Sequence, residues 1–403
     1  MTQTRTTPAT ATATATATTE PARHAHLDEV YPLLPIEPIK GDDVWLEDAS
    51  GRRILDLYGG HAVAVLGYGH PRLTEAVSRQ TATMIFQSNA VRLAVRDRAA
   101  DKLAAFAGAG LERVFFVNSG GEANENALRL ALRLTGRRQV IAVEHGFHGR
   151  TAAAAAVTYG SDRGWYGFPA LPFDVRFVPR DDCDQLAEAI GPETAAVIVE
   201  PVQGLAGAYD LSPEFLATAR SATATAGALL IFDEVQSGMG RLGAPFGANL
   251  YGIEPDLLTT AKGLAGGIPA GAVLMRAGVA RHLKSGDLGT TFGGGPVAAA
   301  AIEAVIDTIG AESLLENVQR VSAEIRATCV TGPVESVQGA GFLIGLRTRP
   351  RAAAVRDALL EHDILAGTSA DPHILRLLPP LTLTREHVER LATALGEIGD
   401  VAV

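Results

Sequence analysis

"LLIFDEVQSGMGR", Leu229–Arg241, sets four apolar residues directly before two acids, a valine, a glutamine and glycines. The apolar run is too short and too uniform for an amphipathic helix and reads as a strand buried on both faces. A carboxylate driven into a core needs a partner, because an isolated buried charge is very costly. In parallel sheets ligands gather beyond the carboxyl ends of the strands. Asp233 is therefore expected where a strand leaves the core and meets a ligand.

Six similar runs flank this one: "VFFVN" (Val114–Asn118), "VIAVEH" (Val140–His145), "VRFVP" (Val175–Pro179), "AAVIVEP" (Ala195–Pro201), "DLLTTAK" (Asp256–Lys262) and "AGAVLMR" (Ala270–Arg276). Helical stretches such as Glu122–Leu134 and Pro213–Thr225 lie between several of them. Strands alternating with helices predict an α/β fold with a mostly parallel, seven-stranded sheet. "VWLEDASGRRILDL" (Val44–Leu57) reads as an N-terminal hairpin. After about residue 297 come helices over Val297–Ile309 and Leu314–Thr328, then strands over Gly341–Arg347 and His373–Leu381, as in a smaller α+β domain. The expected division is a disordered Thr/Ala-rich tail over 1–26, an N-terminal segment of the small domain over 27–80, a large domain over 81–296 and the rest of the small domain over 297–403.

Acids outnumber lysine plus arginine by 45 to 35, and no basic block occurs, so nucleic acid and anionic membrane are not expected partners. No apolar run approaches the ~20 residues of a transmembrane helix. Cys183 and Cys329 lack metal-ligand spacing and read as free thiols of a reducing compartment, which suggests the cytoplasm; no metal is expected. Only Lys40, Lys102, Lys262 and Lys284 are lysines, the other basic residues being arginine. A lysine kept in so arginine-biased a chain suits chemistry that needs an amine able to lose its proton.

Asp233, Glu200, Lys262 and Asn118 all fall at or just past strand ends and would converge on one edge of the sheet. In "VFFVNSGGEANENALRL" (Val114–Leu130) a strand, a Ser-Gly-Gly turn and a helix follow one another, and Ser119 with Glu122 fits a capping box. The glycines and free N–H groups at such a helix start favour a phosphate, although a plain capped helix has the same pattern. Lys262 stands in small, apolar, glycine-rich "TTAKGLAGG" (Thr259–Gly267), where burial would lower its pKa and let it form a Schiff base with an aldehyde. An amine, an acid for a ring nitrogen and a phosphate cradle are what pyridoxal phosphate requires.

Together "LLIFDEVQSGMGR", "PDLLTTAKGLAGG", "NSGGEANE", "FHGRT" and "TFGGGP" make a chain that resembles the class III (omega-amino-acid) pyridoxal-phosphate aminotransferases of fold type I, most similar to the acetylornithine aminotransferase group, over roughly Pro38 to Leu395. The resemblance implies that Lys262 bonds the cofactor and moves the proton, and that Asp233 pairs with the pyridine nitrogen. It implies that Gln236 bonds the phenolic oxygen, that Val235 and Phe147 cover the two ring faces, and that Ser119, Gly120 and Gly121 hold the phosphate. Glu200 would support the ring, and Thr291 would reach the phosphate of a neighbouring subunit, which implies a homodimer with composite sites. Arg150 and Arg376 match the family's carboxylate-binding positions, suited to an amino donor and 2-oxoglutarate. His148 is expected to pack rather than catalyse, and Glu234 to make structural bonds on the opposite face.

Two departures stand out. Leu205 in "EPVQGLAGAYD" (Glu200–Asp210) occupies the place of a family glutamate that pairs with the second arginine, and His61 stands where the family often has an apolar residue. The implied reaction moves the terminal amino group of an acylated ornithine- or lysine-like amino acid to 2-oxoglutarate, giving a semialdehyde and glutamate, in arginine or lysine biosynthesis. The alternative is an aminomutase or amino acid racemase on the same scaffold.

Overall fold

The computed structural model describes His26, Asp28, Val30, residues 32–161 and residues 166–399. The tail expected over 1–26 lies outside the described residues except for His26.

All seven apolar runs enter one sheet. Its strands are β1 (Leu111–Val117), β2 (Gln139–Val143), β3 (Asp174–Val178), β4 (Thr194–Val199), β5 (Leu229–Asp233), β6 (Leu257–Thr260) and β7 (Gly271–Arg276), in spatial order β1-β7-β6-β5-β4-β2-β3. Only β7 runs antiparallel to its neighbours. The uniform apolarity has a simple cause. Leu230 and Phe232 of β5, with Val197 and Val199 of β4, point into one core cluster, while Ile231, Ala196 and Ile198 point into another. Each face is covered by helices. Pro213–Ala226 brings Phe215, Leu216 and Ala219 to the first cluster, and Gly120–Thr135 brings Ala123, Ala127, Leu128 and Ala131 to the second. Each fully buried leucine or phenylalanine contributes about 1.5–3 kcal/mol.

The hairpin forms as expected, with strands Trp45–Asp48 and Arg53–Asp56 closed by Asp48, whose Oδ1 accepts from the Ser50 and Arg52 N–H groups. Pro38–Asp42 adds on one side, and Ile364–Leu365 pairs parallel to Arg53–Asp56 on the other, joining the two ends of the chain. A third sheet runs Val334–Ala340, Leu343–Thr348, Ile374–Leu377, Gly367–Thr368, antiparallel throughout. The run expected as strand over His373–Leu381 is strand only over Ile374–Leu377. Pro379 and Pro380 follow, and proline has no N–H to give a ladder. The helices expected near 297–309 and 314–328 occupy Pro296–Ala311 and Leu314–Thr328. Among the described residues no helix is long and apolar enough to cross a membrane.

A run of four consecutive residues adopts left-handed backbone. Gly59, Gly60, His61 and Ala62 all have φ between 54° and 69°, and Val63 N–H bonds the Gly59 carbonyl, so the chain makes one left-handed turn. A left-handed conformation costs a non-glycine residue roughly 1–2 kcal/mol, here at both His61 and Ala62.

Candidate active site

The carboxyl edge of β4, β5 and β6 gathers the titratable groups. Asp233 closes β5 and is 3% exposed. Its Oδ2 accepts from Asn124 Nδ2 at 2.7 Å and faces His148 Nδ1 at 2.8 Å, while its Oδ1 accepts from the Val235 N–H at 3.0 Å. Asn124 also gives its amide to the His148 carbonyl and receives the Thr259 hydroxyl at 2.7 Å. The carboxylate is thus fixed by three donors from three segments and still has lone-pair capacity for a fourth. His148 is buried, as expected of a packed histidine, and its Nε2 has no partner among the described residues.

One residue on, Glu234 turns to the other face. Its carboxylate accepts from the Ser237 hydroxyl and from the N–H groups of Gly247 and Ala248, capping the start of the Gly247–Tyr251 helix. Burial holds its pKa up at about 7. Glu200, past the end of β4, accepts from Phe147 N–H at 2.8 Å and Gly204 N–H at 3.2 Å. Burial lifts its pKa to about 7, the nearby Asp233 charge adding to the rise and His148 opposing it.

Lys262 lies two residues past β6, half-buried, at the start of a short 3-10 turn over Lys262–Ala265. Its φ of 46° is another left-handed non-glycine position, of the kind that clusters at functional sites. Burial pushes the amine down to about 8, against the pull of Asp233 and Glu200, with Arg376 and Arg241 adding to the fall. The Lys262 amine therefore feels the charges of Asp233 and Glu200, which leave the neighbouring strands on the same edge.

The Gly120–Thr135 helix supplies an anion cradle. Ser119 caps it, its hydroxyl accepting from Glu122 N–H at 3.2 Å. The reciprocal half of the expected capping box goes elsewhere: Glu122 bonds the N–H of Asn118 at 2.8 Å and that residue's side-chain amide at 3.0 Å, two donors against the single one Ser119 offers. The N–H groups of Ser119, Gly120 and Gly121 consequently have no acceptor among the described residues. A Cβ on Gly120 would come within 2.7 Å of Val235, so glycine is what lets this helix start approach β5's exit loop. Phe147 is half-buried on the loop after β2, beneath the Arg150 guanidinium at 5.6 Å.

Arg376, in the Ile374–Leu377 strand, is 4% exposed. It donates to the carbonyls of Thr368 (2.7 Å) and Gly204 (3.2 Å), to Gln236 Oε1 (3.5 Å) and to the Tyr58 hydroxyl (2.8 Å). None of these partners is a carboxylate. With Leu205 beside Gly204, neutral oxygens hold the guanidinium instead of an acid. Thr291 lies apart from this group, exposed on the loop before the Pro296–Ala311 helix, and no hydrogen bond among the described residues joins it to Ser119, Asp233 or Lys262.

The family model for Aminotransferase class-III matches residues 28–398. The chain belongs to the class III aminotransferases. This class III aminotransferase is 44% identical over 376 residues to an acetylornithine aminotransferase of Streptomyces coelicolor, covering 92% of each chain. It is 36% identical to an acetylornithine aminotransferase of Methanocaldococcus jannaschii, covering 92% of this chain and 95% of that one. Among solved structures, the ornithine aminotransferase of Toxoplasma gondii superposes with a TM-score of 0.86 at 28% identity, covering 92% of both chains. The single reversed strand β7 in an otherwise parallel sheet is thus part of the fold type I architecture of this enzyme.

Sequence reasoning missed three contributors in the aminotransferase. Asn124 and Thr259 orient Asp233, and Tyr58 holds Arg376. Asn124 carried a signal: it sits at helical spacing within the apolar stripe Ala127, Leu128 and Ala131, and a polar residue in such a stripe needs a buried partner.

Proposed function

We propose that this aminotransferase binds pyridoxal 5'-phosphate at the carboxyl edge of its sheet. There it moves the terminal amino group of an acylated ornithine- or lysine-like amino acid to 2-oxoglutarate, giving a semialdehyde and glutamate. The observation that carries the reading is the gathering of Glu200, Asp233 and Lys262 at the carboxyl ends of three neighbouring parallel strands, where burial lowers the Lys262 amine to about 8.

The residues fit the cofactor. Asp233 keeps acceptor capacity for a ring N–H, the Ser119, Gly120 and Gly121 N–H groups suit its phosphate, and Val235 and Phe147 supply apolar surface for its ring. Bound there, the cofactor would supply an aldehyde that takes up the amino group and a protonated ring that withdraws electrons from the substrate carbon. Lys262 would take the proton from the amine-bearing carbon, a task suited to an amine whose pKa burial lowers. Gln236 would bond the ring's phenolic oxygen, and Glu200 would hold the Phe147 loop in place. Arg150 and Arg376 would bind the carboxylates of donor and acceptor.

The names of the acetylornithine aminotransferases support the donor class and a role in arginine biosynthesis. A homodimer in which Thr291 completes the partner's phosphate cradle is supported by exposed apolar surface next to it: Phe292 (65% exposed) meets the Phe86 ring at a 49° tilt, and Met84 and Ile85, exposed as well, directly precede Phe86. A two-domain division, with 27–80 and 297–403 flanking 81–296, is supported by the pairing of Arg53–Asp56 with Ile364–Leu365. A cytoplasmic location is supported by Cys183 and Cys329, both free thiols.

A panel of omega-amino donors, including acetylornithine, succinylornithine, ornithine and 4-aminobutyrate, scored for glutamate formed from 2-oxoglutarate, tests the proposal. Glutamate should appear with the acylated donors. Rearranged or racemised donor without glutamate would replace the reading with an isomerase.

A further inference from the structure

Arg241 closes the Leu229–Arg241 stretch, and the reaction proposed above gives it no task. Its side chain is only 1% exposed, among the largest of the fully buried ones. Nη1 donates to the Pro379 carbonyl, and Nη2 has no partner among the described residues. No carboxylate pairs with the guanidinium there. The Arg241 carbonyl accepts the Phe342 N–H at 2.8 Å. A buried cation with no acid to answer it is a costly choice, and an apolar side chain in such a place is often no less stable. Holding one carbonyl needs only a neutral donor, so the charge itself calls for a reason.

Position supplies that reason. The loop carrying Arg241 is wedged against the C-terminal part of the chain: a Cβ on Gly240 would stand 2.8 Å from Leu381 and 3.1 Å from Leu315. The Lys262 turn rests on the same segments. A Cβ on Gly263 would stand 3.1 Å from Val65 and 3.6 Å from Met239, and the Val65 carbonyl takes the Leu381 N–H at 2.8 Å. The charged groups that face the Lys262 amine are Asp233 closing β5, Glu200 after β4, Arg376 on the Ile374–Leu377 strand and Arg241; His61 feels the amine in return. The two acids favour the protonated amine and the two arginines oppose it. A carboxylate bound at Arg376 would offset that cation. Arg241, bonded to a neutral carbonyl, keeps its charge whatever substrate is present, and arginine does not give up its proton.

We propose that Arg241 is a positioning residue that acts through Lys262: its buried, unanswered positive charge, fixed beneath the Lys262 turn by the Pro379 carbonyl, keeps that lysine working as a free amine against the two acids it faces. The inference rests on the aminotransferase reading above, in which Lys262 is the reactive amine.

The test compares wild type with Arg241→Met, Arg241→Gln and Arg241→Lys, each as the full chain. In the apoenzyme, acetic anhydride labelling across pH 6–11, read peptide by peptide, follows the Lys262 amine. The chain has only four lysines, and the exposed Lys40 and Lys284 serve as references in the same digest. In the holoenzyme, the pH at which the visible absorbance of the cofactor changes is the second readout. Loss of the charge should raise the Lys262 midpoint by about 0.5–1.5 in pH in Arg241→Met and Arg241→Gln, with the absorbance transition moving the same way. Arg241→Lys, which can carry the charge, should recover part of the shift. Folded neutral variants with the wild-type midpoint would overturn the proposal. So would a shift as large in Arg241→Lys as in Arg241→Met, which would trace to shape rather than charge. Failure of both neutral variants to fold would overturn it too, by making Arg241 a structural residue. A wild-type Lys262 that titrates no lower than Lys40 and Lys284 would instead remove the reading of Lys262 on which the proposal rests.

Discussion

Two parts of the site treat buried charge in opposite ways. At the sheet edge the acids are answered: Asp233 has Asn124, His148 and the Val235 N–H, and Glu200 has two backbone N–H groups. At the Arg376 corner the cation has four polar contacts and no carboxylate. A compensated cluster suits a group that stays bound through many turnovers. An uncompensated cation suits an anion that must come and go, because leaving restores no worse a state than the resting one. The difference teaches that charge balance, more than residue type, separates the place for a resident group from the place for a substrate.

Substitutions can break this contrast. The largest effect is expected from Lys262→Ala, which should remove the cofactor's visible absorbance and lower turnover by more than about 10³-fold, since general acid–base groups contribute about 10²–10⁴. Retention of both would overturn the reading of the sheet edge. Next, Asp233→Asn keeps the shape but removes the charge, and should cost about 10²–10³-fold in kcat, measured with cofactor saturating. Arg376→Lys acts on the other corner. It should raise the 2-oxoglutarate KM by about 10–100-fold, because a single ammonium cannot reproduce the planar fork.

Glu234→Gln is the control beside Asp233. Its carboxylate serves the Gly247 and Ala248 N–H groups and the Ser237 hydroxyl, so the change should lower stability by about 1–3 kcal/mol in urea melts with kcat and KM intact. A catalytic defect there would erase the distinction between the two faces of the strand.

The last effect concerns pH. In the cofactor-free enzyme the Lys262 amine titrates at about 8, against 10.5 for an ordinary lysine. Between those values the unfolded chain binds more protons, so stability should rise as pH climbs from about 8 to 10.5. Lys262→Met should flatten that rise in melts of the apoenzyme.

The central strands were legible because they are apolar on both faces, as Thr194–Val199 shows with six consecutive buried residues, whereas the edge strand Asp174–Val178 alternates. Lys262 and Asp233 were legible because a charge at the end of such a strand is too costly to bury without something to answer it. The Arg376 partners were not. Tyr58 lies 318 positions from Arg376 in the chain, and no local periodicity encodes a contact of that span. Gly59 and Gly60 announce a turn, and the Leu378 carbonyl, 2.6 Å from where a Gly59 Cβ would stand, requires glycine there, but no local pattern marks the left-handed continuation through His61 and Ala62. Asn124 could have been found from its place in an apolar stripe; Thr259, inside an already apolar strand, could not.

The parallel pairing of Arg53–Asp56 with Ile364–Leu365 also sets a timetable for synthesis. A ribosome adding about 5–20 residues per second needs roughly 15–60 s to make the 311 positions separating Arg52 from its partner Asp363. Throughout that interval the hairpin's outer edge has no mate, and the strand carrying Arg376 does not yet exist. The nascent chain must keep that edge from pairing with neighbouring chains until its own last tenth emerges. Moving residues 1–80 behind the present C-terminus by circular permutation should therefore shorten the exposure and raise the soluble yield.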